Sequence, residues 1–150
     1  MKGRVVRKLA RVLDRAAEAF GRDNPERLPA HLLTGRRGED DAYFYLRGQG
    51  YVIVARNWRS PRHRGELDLV GWDGEVLCFV EVKTRTTRDV KPAEAAVDEE
   101  KRRDLAAVAR DYLRRVPAPP AVRFDVLSVY YDTEGASPDI TLFKNSFNMP

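Results

Sequence analysis

Four charged side chains in two short apolar runs carry the chemistry of this chain. Gly65-Glu66-Leu67-Asp68-Leu69-Val70 is followed, after a short turn, by Phe79-Val80-Glu81-Val82-Lys83. Both runs read as buried strands, yet each holds acids where a buried strand should hold none. An ionised carboxylate in such a place costs several kcal/mol unless something pairs with it. Three acids and a lysine on adjacent strands point to a metal ion as the compensating partner. Magnesium takes hard oxygen ligands and is usually held by one or two carboxylates plus substrate phosphate. Such an ion activates water and neutralises charge building on phosphorus. A nearby lysine stabilises that charge or orients the attacking water. The bland alternative is a cross-strand Glu–Lys salt bridge on a solvated face. It fits poorly, because both faces of both strands are otherwise apolar.

The elements that must position these groups follow from the pleat. Side chains alternate along a strand, so Glu66, Asp68 and Val70 are expected on one face, with Leu67 and Leu69 on the other. Leu77, Phe79, Glu81 and Lys83 share a face of the next strand. Asp73-Gly74 is a strong hairpin signal. A turn there sets Glu66 opposite Glu81 and Asp68 opposite Phe79. A turn at Gly74-Glu75 instead sets Asp68 opposite Glu81. Both registers keep the acids and Lys83 together, within the ~5–8 Å of direct or diagonal neighbours.

The rest of the chain reads in order. Residues 4–20 form a basic amphipathic helix with Val5, Leu9, Val12, Leu13, Ala16 and Phe20 on one stripe. Residues 21–33 hold Pro25 and Pro29 and read as a linker. Thr34 N-caps a second helix running to about Arg47, ended by Gly48 and Gly50. Its stripe of Glu39, Ala42, Tyr43 and Leu46 turns Glu39 inward. A capping-turn glutamate near a helix N-terminus is the plain alternative. Tyr51–Asn57 is the first strand. The segment from Arg56 to Arg64 brings Arg56, Arg59, Arg62 and Arg64 beside the Asp68 strand, where they can clamp a phosphate backbone. Trp58 reads as core, although it could stack on a base. His63 reads as a loop residue. After Lys83, Arg85 is the first candidate for a substrate contact. Residues 98–115 form a third helix with Leu105, Val108, Ala109, Tyr112 and Leu113 toward the sheet. Lys101, one turn before Leu105, either reaches the site or snorkels over the sheet edge. Val122–Tyr131 is a fourth strand and Pro138–Phe143 a fifth. Asp125, among Phe124, Val126 and Leu127, reads as a structural hydrogen-bonding acid.

Asp68, twelve residues, then Glu81-Val82-Lys83 resembles the PD-(D/E)XK nuclease superfamily. The stretch from about Arg36 to Val129 more closely resembles the bacterial UPF0102 (YraN-like) family. The matching pieces are Gly38-Glu39 with Ala42, Gly50-Tyr51, Asn57-Trp58-Arg59, Gly65 to Val70, Phe79 to Arg85, Lys101, and Arg123-Phe124-Asp125-Val126. The superfamily often has Pro before the metal-binding Asp, where this chain has Leu67. The resemblance implies a restriction-endonuclease-like α/β core (α-β-β-β-α-β) with a central mixed sheet flanked by helices. It implies Asp68 and Glu81 as ligands of Mg²⁺ or Mn²⁺, with the Val82 carbonyl as a third. Lys83 would be the catalytic lysine, and Glu39 the acid that the first core helix sends to the site. Glu66 has no fixed role in the superfamily. With Lys101 it is expected to stand behind the ligands.

Composition bounds the rest. The chain has 150 residues, enough for one domain with a real core. Residues 1–33 read as an extension and 34–150 as a nuclease-like domain. The 27 basic and 23 acidic residues give a net +4. Residues 1–37 hold ten basic and four acidic residues, a net +6, and residues 38–150 hold seventeen and nineteen, a net −2. No apolar run reaches the ~18 residues of a membrane span. The first residues lack an apolar signal core, so no signal peptide is expected. The single Cys78 rules out an intramolecular disulfide and fits a reducing cytoplasm. The expectation is a metal-dependent endonuclease acting on DNA without a small-molecule cofactor. By analogy with small resolvases of the superfamily, its expected substrate is branched or junction DNA; such enzymes often dimerise, and a homodimer stays open. The alternative is a non-catalytic nucleic-acid-binding module that retains the fold.

Overall fold

The computed structural model describes residues 30–86, 97–132 and 137–149. The expected helix at 4–20 lies outside the described residues. Helix α1 (Ala30–Gly48) leads into β1 (Val52–Arg59), β2 (Glu66–Asp73) and β3 (Val76–Arg85). Helix α2 (Glu99–Leu113) then crosses over to β4 (Ala121–Tyr130) and β5 (Asp139–Phe147). The five strands form one sheet in chain order. Every neighbouring pair is antiparallel except β3 and β4, which run parallel. The architecture is α/β with a mixed sheet, consistent with a restriction-endonuclease-like fold. Among the described residues, no helix is long and apolar enough to cross a membrane.

Two apolar clusters explain why β2 and β3 read as nearly continuous hydrophobic runs. Strands covered by helices on both sides must be apolar on both faces. Tyr43, Leu46, Ile53, Leu69, Val80 and Leu127 pack under α1. Leu67, Val70, Phe79, Leu105, Val108 and Phe124 pack under α2. Strict alternation therefore fails at one point. Leu67 and Leu69, expected on one face, enter different clusters. The β2–β3 ladder runs from Asp73↔Val76 to Leu69↔Val80. Beyond it, the Val82 N–H turns to the Asp68 carboxylate instead of a strand partner, at 2.8 Å. The pleat is broken beside the candidate acids.

The hairpin takes the second of the two registers. Asp73 pairs with Val76, leaving Gly74-Glu75 as the turn. Gly74 has φ +63°, the positive value that the first central position of a type II′ turn requires. Helix α1 starts at Ala30 rather than at Thr34, so Thr34 lies inside it and is not its cap. Ala30, Leu32 and Leu33 extend the helical run, and Thr lowers helix propensity too little to stop it. Gly38 permits close packing. A Cβ there would lie 1.9 Å from Thr84 Oγ1. Glycine thus lets α1 press onto β3 beside Lys83 and carries Glu39 to the end of the sheet. On the other face Asp98 caps α2, its carboxylate accepting from the Lys101 N–H at 2.9 Å. Strand β5 runs to Phe147, past the expected end at Phe143, because Phe147 stacks on Phe124 at 4.7 Å.

Candidate metal centre

Glu81 is a buried acid held between two lysines. Its side chain is 5 % exposed, and its Oε1 lies 3.0 Å from Lys83 Nζ and 3.6 Å from Lys101 Nζ. Its Oε2 is buried and has no hydrogen-bond partner. A buried oxygen left this way forfeits its hydration for nothing, at a cost of about 1–3 kcal/mol or more for a charged group. Lys101 therefore reaches the site across the space between α2 and β3, the first of the two roles open to it from sequence.

Asp68 shares this environment. Burial first, and then the charge of Glu81, push its carboxyl up to about 8. The Val82 N–H and Lys101 oppose the shift, while Glu39 adds to it. An Asp that resists ionisation at neutral pH costs the fold several kcal/mol when it does ionise. Carboxylate oxygens of Glu39, Glu66 and Asp68 all lie within 4.8 Å of one another. Burial also raises Glu39, with the Glu66 charge adding to that and an Asn57 hydrogen bond opposing it. Five elements thus meet here: α1 through Glu39, the end of β1, the start of β2, the far half of β3, and the first turn of α2.

Glu39, Glu66 and Asp68 form the converging donor set, all hard oxygens, and the unpartnered Glu81 Oε2 is a further buried oxygen outside that trio. The set fits a magnesium-like divalent cation, which would relieve it of unpaired charge. Among the described residues, nothing nearby supplies the nitrogen and sulfur spacing of zinc. Across the site, Arg59 is not on the loop but at the end of β1, where its Nε meets Glu66 Oε2 at 2.8 Å. Arg56 also belongs to β1, paired with Asp40 and lying over the Tyr43 ring at 4.7 Å. Arg62 and Arg64 are exposed on the loop after Ser60. Arg85 ends β3, its carbonyl accepting from the Tyr131 N–H at 2.9 Å. Trp58 is half-buried against Tyr112, edge-on at 5.2 Å, as a core residue should be.

Asn57 is a site residue that the sequence pattern did not single out. It lies between the pairs Arg56↔Leu69 and Trp58↔Leu67, opposite Asp68 in register, with φ +49°. A left-handed residue inside a strand is costly and tends to mark function. Its amide donates to the Glu39 carboxylate. An asparagine amid strand formers is the signal that could have found it.

A family model described as "Uncharacterised protein family UPF0102" matches residues 38–129. That span holds the whole carboxylate cluster with Lys83 and Lys101. A UPF0102 protein of Koribacter versatilis is 58% identical over 119 residues, covering 79% of this chain and 82% of the relative. One from Solibacter usitatus is 53% identical over 114 residues, covering 75% and 84%. A third, from Porphyromonas gingivalis, is 43% identical over 117 residues, covering 78% and 85%.

Proposed function

This chain belongs to the uncharacterised protein family UPF0102, and we propose that it is a divalent-metal-dependent nuclease that hydrolyses phosphodiester bonds in DNA. One observation carries the reading. Glu81 is buried beside Asp68 with one oxygen shared by two lysines and the other unpartnered. A scaffold gains nothing from such an arrangement, whereas a cation site needs it.

Asp68 and Glu81 would hold Mg²⁺ or Mn²⁺, with the Val82 carbonyl beside them and Glu39 closing the cluster. When bound, the ion supplies Lewis-acid stabilisation of charge on the phosphate. Lys83 places an ammonium at the mouth of the cluster, where it orients the attacking water and stabilises charge on the phosphate oxygens. Lys101 pairs with Glu81 Oε1 at 3.6 Å and holds that side chain beside Lys83. Glu66 fixes the Arg59 guanidinium at the rim, within reach of a phosphate. Arg62, Arg64 and Arg85 extend the contact along the backbone. Among the described residues, no element presents a row of side chains for groove readout, which favours selection by DNA structure, such as a branch or junction. The buried free thiol of Cys78 agrees with a cytoplasmic setting.

The test uses labelled single-stranded, duplex, flap and four-way-junction DNA with Mg²⁺, Mn²⁺ or EDTA, alongside Asp68→Ala. Metal-dependent cleavage that disappears in the variant is expected. Binding without cleavage in every metal overturns the assignment.

A further inference from the structure

The loop between β1 and β2 and the last turns of α2 form a second charged surface. Residues 61–65 are exposed, yet the loop has a built interior. The buried Ser60 Oγ accepts from the N–H groups of Arg62 at 3.0 Å and His63 at 3.2 Å. It donates to Asp111 Oδ2 on α2 at 2.6 Å. Asp111 is buried, and its Oδ1 lies 4.0 Å from Arg62 Nη1, so this single acid offsets part of one arginine's charge and leaves the surface basic. Arg62, Arg114 and His63 surround it. Beside them the Arg115 guanidinium lies over the Trp58 ring at 5.1 Å. Arg62, Arg64, Arg114 and Arg115 are all exposed. The segment from Ser60 to Gly65 holds no acid.

A helix C-terminus attracts cations through its dipole. That accounts for Arg114 and Arg115. It does not account for a loop from a distant part of the chain, tied down so that Arg62 and Arg64 join them. Crowded like charges weaken a fold and raise the local concentration of anions. The loop contact at Asp111 and the site contact at Lys101 lie on one helix, about 15 Å apart at 1.5 Å per residue. One nucleic-acid strand places about four phosphates in that distance, at 3.4 Å each.

We infer that Arg62, Arg64, Arg114 and Arg115 form a second phosphate-backbone contact, which holds a nucleic-acid strand about four phosphates from the carboxylate site. The inference rests on the nuclease reading for its choice of partner. The surface binds by charge and without sequence preference, and it works in the absence of metal.

The test follows binding of a labelled duplex by fluorescence anisotropy, with the full chain in EDTA across a salt series. Removing one phosphate-binding arginine lowers the salt slope by about one. The double variant Arg114→Ala/Arg115→Ala is expected to lower the slope by about two and affinity by at least about tenfold. Arg115→Lys keeps the slope. Arg103→Ala, on the same helix and paired with Glu99 at 2.5 Å, changes neither quantity. Circular dichroism and Mn²⁺ calorimetry of the double variant match wild type, since these arginines touch no carboxylate of the cluster. An unchanged slope and affinity in the double variant, with wild type binding normally, overturns this surface and leaves the nuclease reading standing. Loss of binding to anionic vesicles, with duplex binding intact, makes it a lipid surface and also overturns the inference. A wild type that binds no nucleic acid at low salt overturns both.

Discussion

Two buried acids on neighbouring strands received opposite treatment. Asp125 on β4 has no exposed surface, and both of its oxygens are satisfied. Arg123 reaches Oδ1 through Nε at 2.8 Å and Oδ2 through Nη2 at 2.9 Å, and the Asn145 N–H adds a bond to Oδ1 at 2.9 Å. Arg123 also donates to Tyr51 at 2.8 Å and to Asp73 at 2.9 Å. Glu81 on β3 is almost as buried, but its Oε2 has nothing. A left-handed asparagine stands by each group, Asn145 on β5 and Asn57 on β1. At Asp125 the strained backbone delivers an N–H that closes the network. At the other end the Asn57 side chain is committed to Glu39, and the cluster stays open. A carboxylate that serves the scaffold brings its partners with it. Glu81 keeps one buried oxygen without a protein partner, and the proposed cation would supply one.

Breaking the closed network should cost the most. Asp125→Ala leaves the half-buried Arg123 guanidinium short of its main partner. A loss of about 3–5 kcal/mol of stability is expected, read as a fall in the denaturant midpoint at unchanged slope. An effect below about 1 kcal/mol would mean that the two regions do not differ as described.

Acidity separates them next. The folded Asp68 titrates at about 8, against about 3.9 for an unfolded Asp. Its contribution to stability is therefore full below about pH 4, declines as pH rises, and is gone by about pH 8. A melting series in EDTA should show metal-free stability falling by several kcal/mol across that window. Asp68→Asn, which mimics the protonated acid, should flatten the decline and melt higher than wild type at pH 8. A decline of the same size in the variant would remove Asp68 as its source.

Metal should act only on the open cluster. Mn²⁺ at a hundredfold excess over its Kd stabilises the wild type by about 2.7 kcal/mol. Glu81→Gln abolishes that gain, while Asp73→Asn, in the closed network, keeps it. Equal stabilisation of both variants would place the cation elsewhere. The smallest effect is expected at Asn57. Asn57→Gly relieves the left-handed backbone but deletes the bond to Glu39. Stability should stay within about 1 kcal/mol of wild type, while Mn²⁺ affinity measured by calorimetry falls severalfold. Unchanged affinity would reduce Asn57 to a turn residue.

Much of this was legible in residues alone. The acids at 66, 68 and 81 stood out because they interrupt apolar runs, where burial is expensive, and Glu39 because it shares a helix stripe with Ala42, Tyr43 and Leu46. Asp125 was separable from them because it sits among Phe124, Val126 and Leu127 with no metal motif around it. The hairpin register was not legible. Its two candidates differ by a two-residue shift in pairing, which keeps every side chain on the same face, so hydrophobic periodicity cannot choose between them. The positive φ of Gly74 and the packing of both faces chose. The start of α1, the reach of β5 and the break in alternation at Leu67 were likewise set by contacts distant in sequence.

The sequence by itself determined that Glu39 would ride on a helix and Glu66, Asp68, Glu81 and Lys83 on strands, because those placements follow from local pattern and from the cost of burying charge; Asn57 and the strand position of Arg59 did not follow. Tertiary structure alone decided that Lys101 shares an oxygen of Glu81, that Asn57 faces Glu39, and that Arg62 from a loop and Arg114 from a distant helix end meet at Asp111. Such meetings depend on how helices cross a twisted sheet. No local term along the chain encodes that geometry.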